Sequence, residues 1–152
     1  MIRLKRTNSD NPDFIQLVSL LDAYLARIDG EEHVFYAQLN KTDKIIHVIV
    51  AYENEQAVSC GAIRDFNGQA MEVKRMFTLP QYRGKGIAKK VLIELEKWAA
   101  ELSYGKCILE TGLRQPEAIE LYTKSGYKNI PNYGKYQGVG NSVCFEKEID
   151  TR

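Results

Sequence analysis

Gln81-Tyr82-Arg83-Gly84-Lys85-Gly86-Ile87-Ala88 is the stretch on which the reading of this chain turns. It follows an apolar, strand-like segment that closes at Pro80. It precedes a helical stripe made of Ala88, Val91, Leu92, Leu95, Trp98, Ala99 and Leu102. Two glycines one residue apart allow a tight turn and a close approach of backbone to a ligand. Successive N–H groups in such a turn, together with the free N–H groups of a helix start, make a cradle for an anion. Arg83 and Lys85 add positive charge, and the whole suits a pyrophosphate.

Outward from this turn, the chain alternates strands and helices. Ile2 to Arg6 alternates apolar and basic residues like a short edge strand. Asn11-Pro12 is a helix start, with a capping asparagine and a proline at the first helical position. Phe14, Leu17, Val18, Leu21, Tyr24, Leu25 and Ile28 then fall on one stripe. Residues 31–43 read either as a short second helix or as a loop. Lys44 to Glu53 and Ala57 to Phe66 read as two strands, and Asn67-Gly68 is a hairpin signal leading into a third, roughly Gln69 to Leu79. After the glycine turn and its helix come a buried-type strand (Lys106 to Thr111) and a helix opened by Pro116. Two strands close the chain, Tyr127 to Ile130 and Ser142 to Ile149. The order predicts an α/β (α+β) architecture on a mixed sheet, in a single domain over residues 1–152.

Composition narrows the function. Twenty-one basic and 20 acidic residues leave a formal charge of +1, which argues against a nucleic-acid binder held by a general positive field. The longest apolar run, Ile45 to Tyr52, is too short to span a bilayer, and no signal core follows the first charges. The expectation is a cytoplasmic protein with no membrane partner. Cys60, Cys107 and Cys144 are far apart in apolar runs and read as buried inert thiols. With only two histidines, His33 and His47, no metal is expected.

Three readings compete for the glycine turn. A Walker loop needs G-x-x-x-x-G-K-[ST], which is absent. A dinucleotide fingerprint needs a third glycine where Lys89 stands, and an N-terminal βαβ unit. The third is coenzyme A, whose pyrophosphate needs the same cradle.

The segment Met71 to Ala88 resembles the core motif of the GNAT superfamily of N-acetyltransferases, a strand followed by Q/R-x-x-G-x-G/A and a helix. A second block, Gln115-Pro116-Glu117-Ala118-Ile119-Glu120-Leu121-Tyr122-Thr123-Lys124-Ser125-Gly126-Tyr127, is similar to the family's N-x-x-A-x-x-L-Y-x-x-x-G-F. The resemblance implies a mostly antiparallel sheet with helices on both faces, and a splayed strand pair forming an acetyl-CoA cleft. It implies cofactor contacts from Met76, Phe77, Thr78, Gln81, Arg83, Gly84, Lys85, Gly86, Ile87, Ala88, Gln115 and Tyr122. Gln115 stands where the family has asparagine, so a cap or structural role competes there.

The same resemblance implies transfer of an acetyl group to a primary amine of a small molecule or protein, by direct attack in a ternary complex. Tyr122 matches the family's general acid, with simple packing of the helix face as the alternative. Glu72, Glu110 or a water chain would take the proton from the amine. Glu31, Tyr133 and Tyr136 fall in the segments that line acceptor pockets in the family, with simple cover of the end of the sheet as the alternative for both tyrosines. A non-catalytic coenzyme A binding module, or a purely structural domain, would leave thiol release absent in an assay. A homodimer is an expectation from the final strand, Ser142 to Ile149, which is long enough to pair at an edge.

Overall fold

The computed structural model describes residues 1–29 and 44–149. Among these, β1 (Ile2–Thr7) leads to α1 (Pro12–Asp29), then β2 (His47–Glu53), β3 (Gln56–Phe66) and β4 (Ala70–Thr78). They are followed by α2 (Ile87–Glu101), β5 (Lys106–Gly112), α3 (Pro116–Lys124), β6 (Lys128–Ile130) and β7 (Ser142–Glu148). The sheet order is β1-β2-β3-β4-β5-β7-β6. β1–β2, β2–β3, β5–β7 and β6–β7 pair antiparallel, whereas β4 and β5 are parallel, registered at Met71–Cys107 and Glu72–Ile108. The predicted elements are all present, with ends shifted by up to three residues. The segment 31–43, including Glu31, lies outside the described residues. No helix among the described residues is long and apolar enough to cross a membrane.

The chain divides into two compact units, Met1–Arg64 with Lys74–Leu95 and Asp65–Val73 with Glu96–Arg152. In the first, α1 starts as its sequence requires. Asn11 Oδ1 accepts from the N–H groups of Asp13 and Phe14 at 2.9 and 3.1 Å, satisfying two of the orphan donors of the first turn. The stripe then buries Phe14, Leu17 and Leu21 in one cluster with Val48, Val50, Cys60 and Ala62.

Side chains alternate along a strand, so Gly61 faces away from Cys60 and Ala62. A Cβ at Gly61 would lie 2.5 Å from Met76 Sδ, 2.9 Å from Leu95 Cδ1 and 3.0 Å from Val91 Cγ1. α1 and the first half of α2 therefore cover opposite faces of β3, and Gly61 is the gap that admits α2. Met76 is flexible enough to move, but Val91 and Leu95 are fully buried. Gly61→Ala is expected to lower stability by about 1–3 kcal/mol through overpacking, read as an earlier denaturant midpoint with unchanged slope.

In the second unit, β7 is bonded along its whole length to β5, and its Cys144–Glu146 segment also pairs with β6. It is an interior strand. The three residues of β6 lie beside Cys144–Glu146, so β7 is flanked on both sides over that segment. The Asn67-Gly68 turn is as its chemistry demands, with positive φ of 49° and 76° at the two central positions. All three cysteines are free and buried. Burial pushes the Cys60 and Cys107 thiols up to about 12, so neither is a nucleophile at neutral pH.

Candidate active site

The glycine turn belongs to the first unit. After β4 the chain makes one 3-10 turn, Pro80–Tyr82, in which Tyr82 N–H bonds to Leu79 O at 2.9 Å and Arg83 N–H to Pro80 O at 3.2 Å. Gly84 and Gly86 then adopt φ of 78° and 79°, values that cost other L-residues about 1–2 kcal/mol each. Residues 84–86 are exposed, and a Cβ placed on either glycine meets nothing within 4 Å among the protein's own atoms. Ile87 is buried and pins the start of α2, whose first amides have no acceptor within the helix. The open space, the two left-handed glycines and the helix start together fit a diphosphate.

The neighbours of the turn are fixed by side chains. Arg83 Nε donates to Thr78 O at 2.9 Å, and its guanidinium lies over the rings of Tyr24 and Phe77 at 5.3 and 5.6 Å. Those contacts tie the turn back to the end of β4. Thr78 Oγ1 shares a 2.8 Å hydrogen bond with Ser59 Oγ, which itself donates to Phe77 O at 2.9 Å. Leu79 N–H donates to Val58 O at 2.9 Å. Lys85 Nζ stands 5.3 Å from the Tyr82 ring centroid, and the Tyr82 hydroxyl donates to Gln56 Oε1 at 3.2 Å. Met76 and Ala88 are half-buried, and Gln81 is exposed.

The carboxylates and tyrosines belong to the second unit. Glu72 on β4 is only 4% exposed, and the Tyr133 hydroxyl donates to its Oε2 at 2.6 Å. Glu110 on β5 accepts from Ser142 Oγ at 2.8 Å. Burial raises the Cys144 thiol, and the charges of Glu110 and Glu72 push it in the same direction.

Tyr122 is buried on α3, with its ring 5.8 Å from Tyr127 and 6.3 Å from Phe145. Burial first, and the Glu110 charge second, raise its phenol above the ordinary range. It stays protonated at neutral pH, as a proton donor must. Gln115 makes no capping bond, although it occupies the N-cap position of α3, and its Nε2 lies over Gly112. Tyr136, expected to face an acceptor, is 5% exposed and packs edge-on against Tyr133 at 5.7 Å. The sequence signalled neither Ser142 nor the Tyr133–Glu72 bond, since their partners lie 32 and 61 positions away.

The sequence profile of the acetyltransferase (GNAT) family matches residues 14–127, a span that includes the glycine turn and Tyr122. The chain belongs to the GNAT family. It is similar to an IAA acetyltransferase of Azospirillum brasilense, 36% identical over 139 residues that cover 89% of this chain and 90% of the relative. A crystal structure from Klebsiella pneumoniae, of a protein assigned as an acyl-CoA N-acyltransferase, aligns with a TM-score of 0.82 and 29% identity over 98% of both chains. PaiA N-acetyltransferase of Thermoplasma acidophilum, solved with coenzyme A, shares the GNAT fold at a TM-score of 0.71 and 16% identity, covering 97% of this chain and 99% of that one. The chain is accordingly a GNAT acyltransferase, with the family's mixed, mostly antiparallel sheet.

Proposed function

We propose that the protein transfers an acetyl group from acetyl-CoA to a primary amine of a small molecule or protein, by direct attack of the amine while both substrates are bound. The reading takes residues 1–152 as one N-acetyltransferase domain. The observation that carries it is the turn at Gly84 and Gly86, whose backbone leaves open space at the N-terminus of a 15-residue helix. Main-chain amides of Gly84, Gly86, Ile87 and Ala88 hold the diphosphate, and Lys85 contributes charge. Main-chain groups of Met76 and Thr78 bond the pantetheine arm and the acetyl carbonyl, the latter also as the tetrahedral oxyanion develops.

In the reaction the amine nitrogen forms a bond to the acetyl carbon and the carbon–sulfur bond breaks. The amine must shed a proton, and the departing thiolate must gain one. Glu72 is the preferred base, with Glu110 second, and Tyr122 is the acid. Tyr133, and Glu31 from outside the described residues, stand on the acceptor side.

The test is release of free thiol from acetyl-CoA against a broad panel of amines, with mass spectrometry of the product. Amine-dependent thiol release with a product heavier by one acetyl group is the expected result. Absence of both thiol release and acetyl-CoA affinity would overturn the reading.

A further inference from the structure

The end of β4 and the glycine turn are tied together by one side chain, and that side chain is met from α1. Arg83 Nε donates to Thr78 O at 2.9 Å, closing residues 78–83 into a loop. Its guanidinium carbon lies 5.3 Å from the Tyr24 ring centroid and 5.6 Å from that of Phe77, both within the reach of a cation–π contact. Phe77 is buried and Tyr24 half-buried. The sequence of α1 explains how the second ring gets there. Phe14, Leu17 and Leu21 bury one helical stripe in the same cluster as Phe77, with Leu25 and Leu79 packed against it. Tyr24 follows Leu21 by three positions and continues that stripe. The packing that seats α1 on the end of β4 thus delivers an aromatic face to the guanidinium. A second cation, Arg27, stands 6.0 Å from the same centroid.

We infer that Tyr24 is a positioning residue for the acyl donor: through Arg83 it sets the spacing between the glycine turn and the strand end before coenzyme A arrives. This rests on the reading of the glycine turn as the coenzyme A cradle. In that reading Gly84 and Gly86 grip the diphosphate while Met76 and Thr78 take the pantetheine arm, so one ligand meets both ends of the loop that Arg83 closes. A ligand held at two points binds best when those points are already the right distance apart. The bond from Nε to Thr78 O fixes that distance. An arginine side chain has many rotamers, however, and a single hydrogen bond contributes little net energy against water. Two rings against the guanidinium select the rotamer in which the bond forms. Backbone amides do the gripping; Tyr24 acts by holding Arg83.

The experiment is titration calorimetry of coenzyme A against the native protein and variants at positions 24, 27 and 83, each with a thermal melt. Tyr24→Leu keeps apolar bulk on the stripe but offers the cation no ring face, and is expected to weaken binding about fivefold. Tyr24→Phe keeps the face and should bind within about twofold of the native protein. Trifluorophenylalanine in place of Tyr24 keeps the shape of that ring while draining its face of negative charge. It should bind more weakly than Tyr24→Phe at an unchanged melting temperature, whereas a role in packing alone would leave the two equal and overturn the inference. In an Arg83→Met background Tyr24→Leu should have no further effect, because the residue through which it acts is gone; additive losses would overturn the inference. Arg27→Gln should leave affinity within about twofold of native, and a loss equal to that of Tyr24→Leu would show that the ring serves Arg27 instead. Native affinity in Tyr24→Leu overturns the inference and leaves the cradle standing. No coenzyme A affinity in the native protein would remove the cradle itself, and the inference with it.

Discussion

Tyr122→Phe is expected to lower kcat by about 10²-fold or more, the usual contribution of a positioned general acid, with the KM for acetyl-CoA within about twofold of the native value. The substitution removes one oxygen and leaves the ring. The contacts with Tyr127 and Phe145 survive, so the melting temperature should hardly move. Burial sets the behaviour of this phenol. A phenol raised above its ordinary range by its surroundings is a reluctant acid in isolation, yet it is protonated at neutral pH, as the proposed donor to the departing thiolate must be. In the proposed mechanism a thiolate leaving without this donor takes its proton from water. Stopped-flow thiol release under saturating amine separates the chemical step from product release. Near-native turnover would reduce Tyr122 to a packing residue of α3.

Gly84→Asn should weaken coenzyme A binding by about tenfold or more, close to 1.4 kcal/mol, with little loss of stability. Asparagine tolerates the left-handed backbone better than other residues with a Cβ, so the φ of 78° does not force the turn to refold. What changes is the space. The volume that is empty beside Gly84 in the free protein is where an anion would have to sit, and a side chain there competes with it. Gly84→Val adds backbone strain to the same obstruction and should lose both affinity and stability. Titration calorimetry with coenzyme A, set beside thermal melts of the two variants, distinguishes obstruction from strain. Equal affinity in Gly84→Asn and the native protein would mean that the diphosphate is gripped elsewhere.

The elements that local chemistry dictates were legible in the sequence. Asn11-Pro12 could scarcely be anything but a helix entry, and both capping bonds form. Asn67-Gly68 and the pair Gly84 and Gly86 announce positive φ, and all four positions have it. The stripes of α1 and α2 and the apolar run of β5 follow from periodicity alone. What was not legible is set by distance along the chain. Arg83 reads as positive charge beside the glycines, and no local pattern announces that it also meets Thr78 O, Tyr24 and Phe77. Arg75 reads as an ordinary strand residue. It nonetheless sits at φ 60° within β4, its carbonyl accepting from Cys60 Sγ at 3.3 Å and its side chain paired to Asp22 at 2.8 Å. Tyr136 reads either as an acceptor-side ring or as cover for the end of the sheet, and no local pattern ties it to the residues that bury it. The last strand reads as long enough to pair at an edge, and the three residues of β6 pair beside its Cys144–Glu146 segment. A short strand of weak alternation gives little warning of where it will dock.

The peptide between Thr78 and Leu79 is held at both ends, its oxygen by Arg83 and its nitrogen by Val58. The hydroxyls of Thr78 and Ser59 pin the side chain as well. A strand end so restrained has little conformational freedom left to surrender, so if the thioester binds there as proposed, the loss of entropy falls on folding and not on each catalytic cycle. Repeated capture and release of the acyl donor can then proceed against a surface that need not reassemble between turnovers.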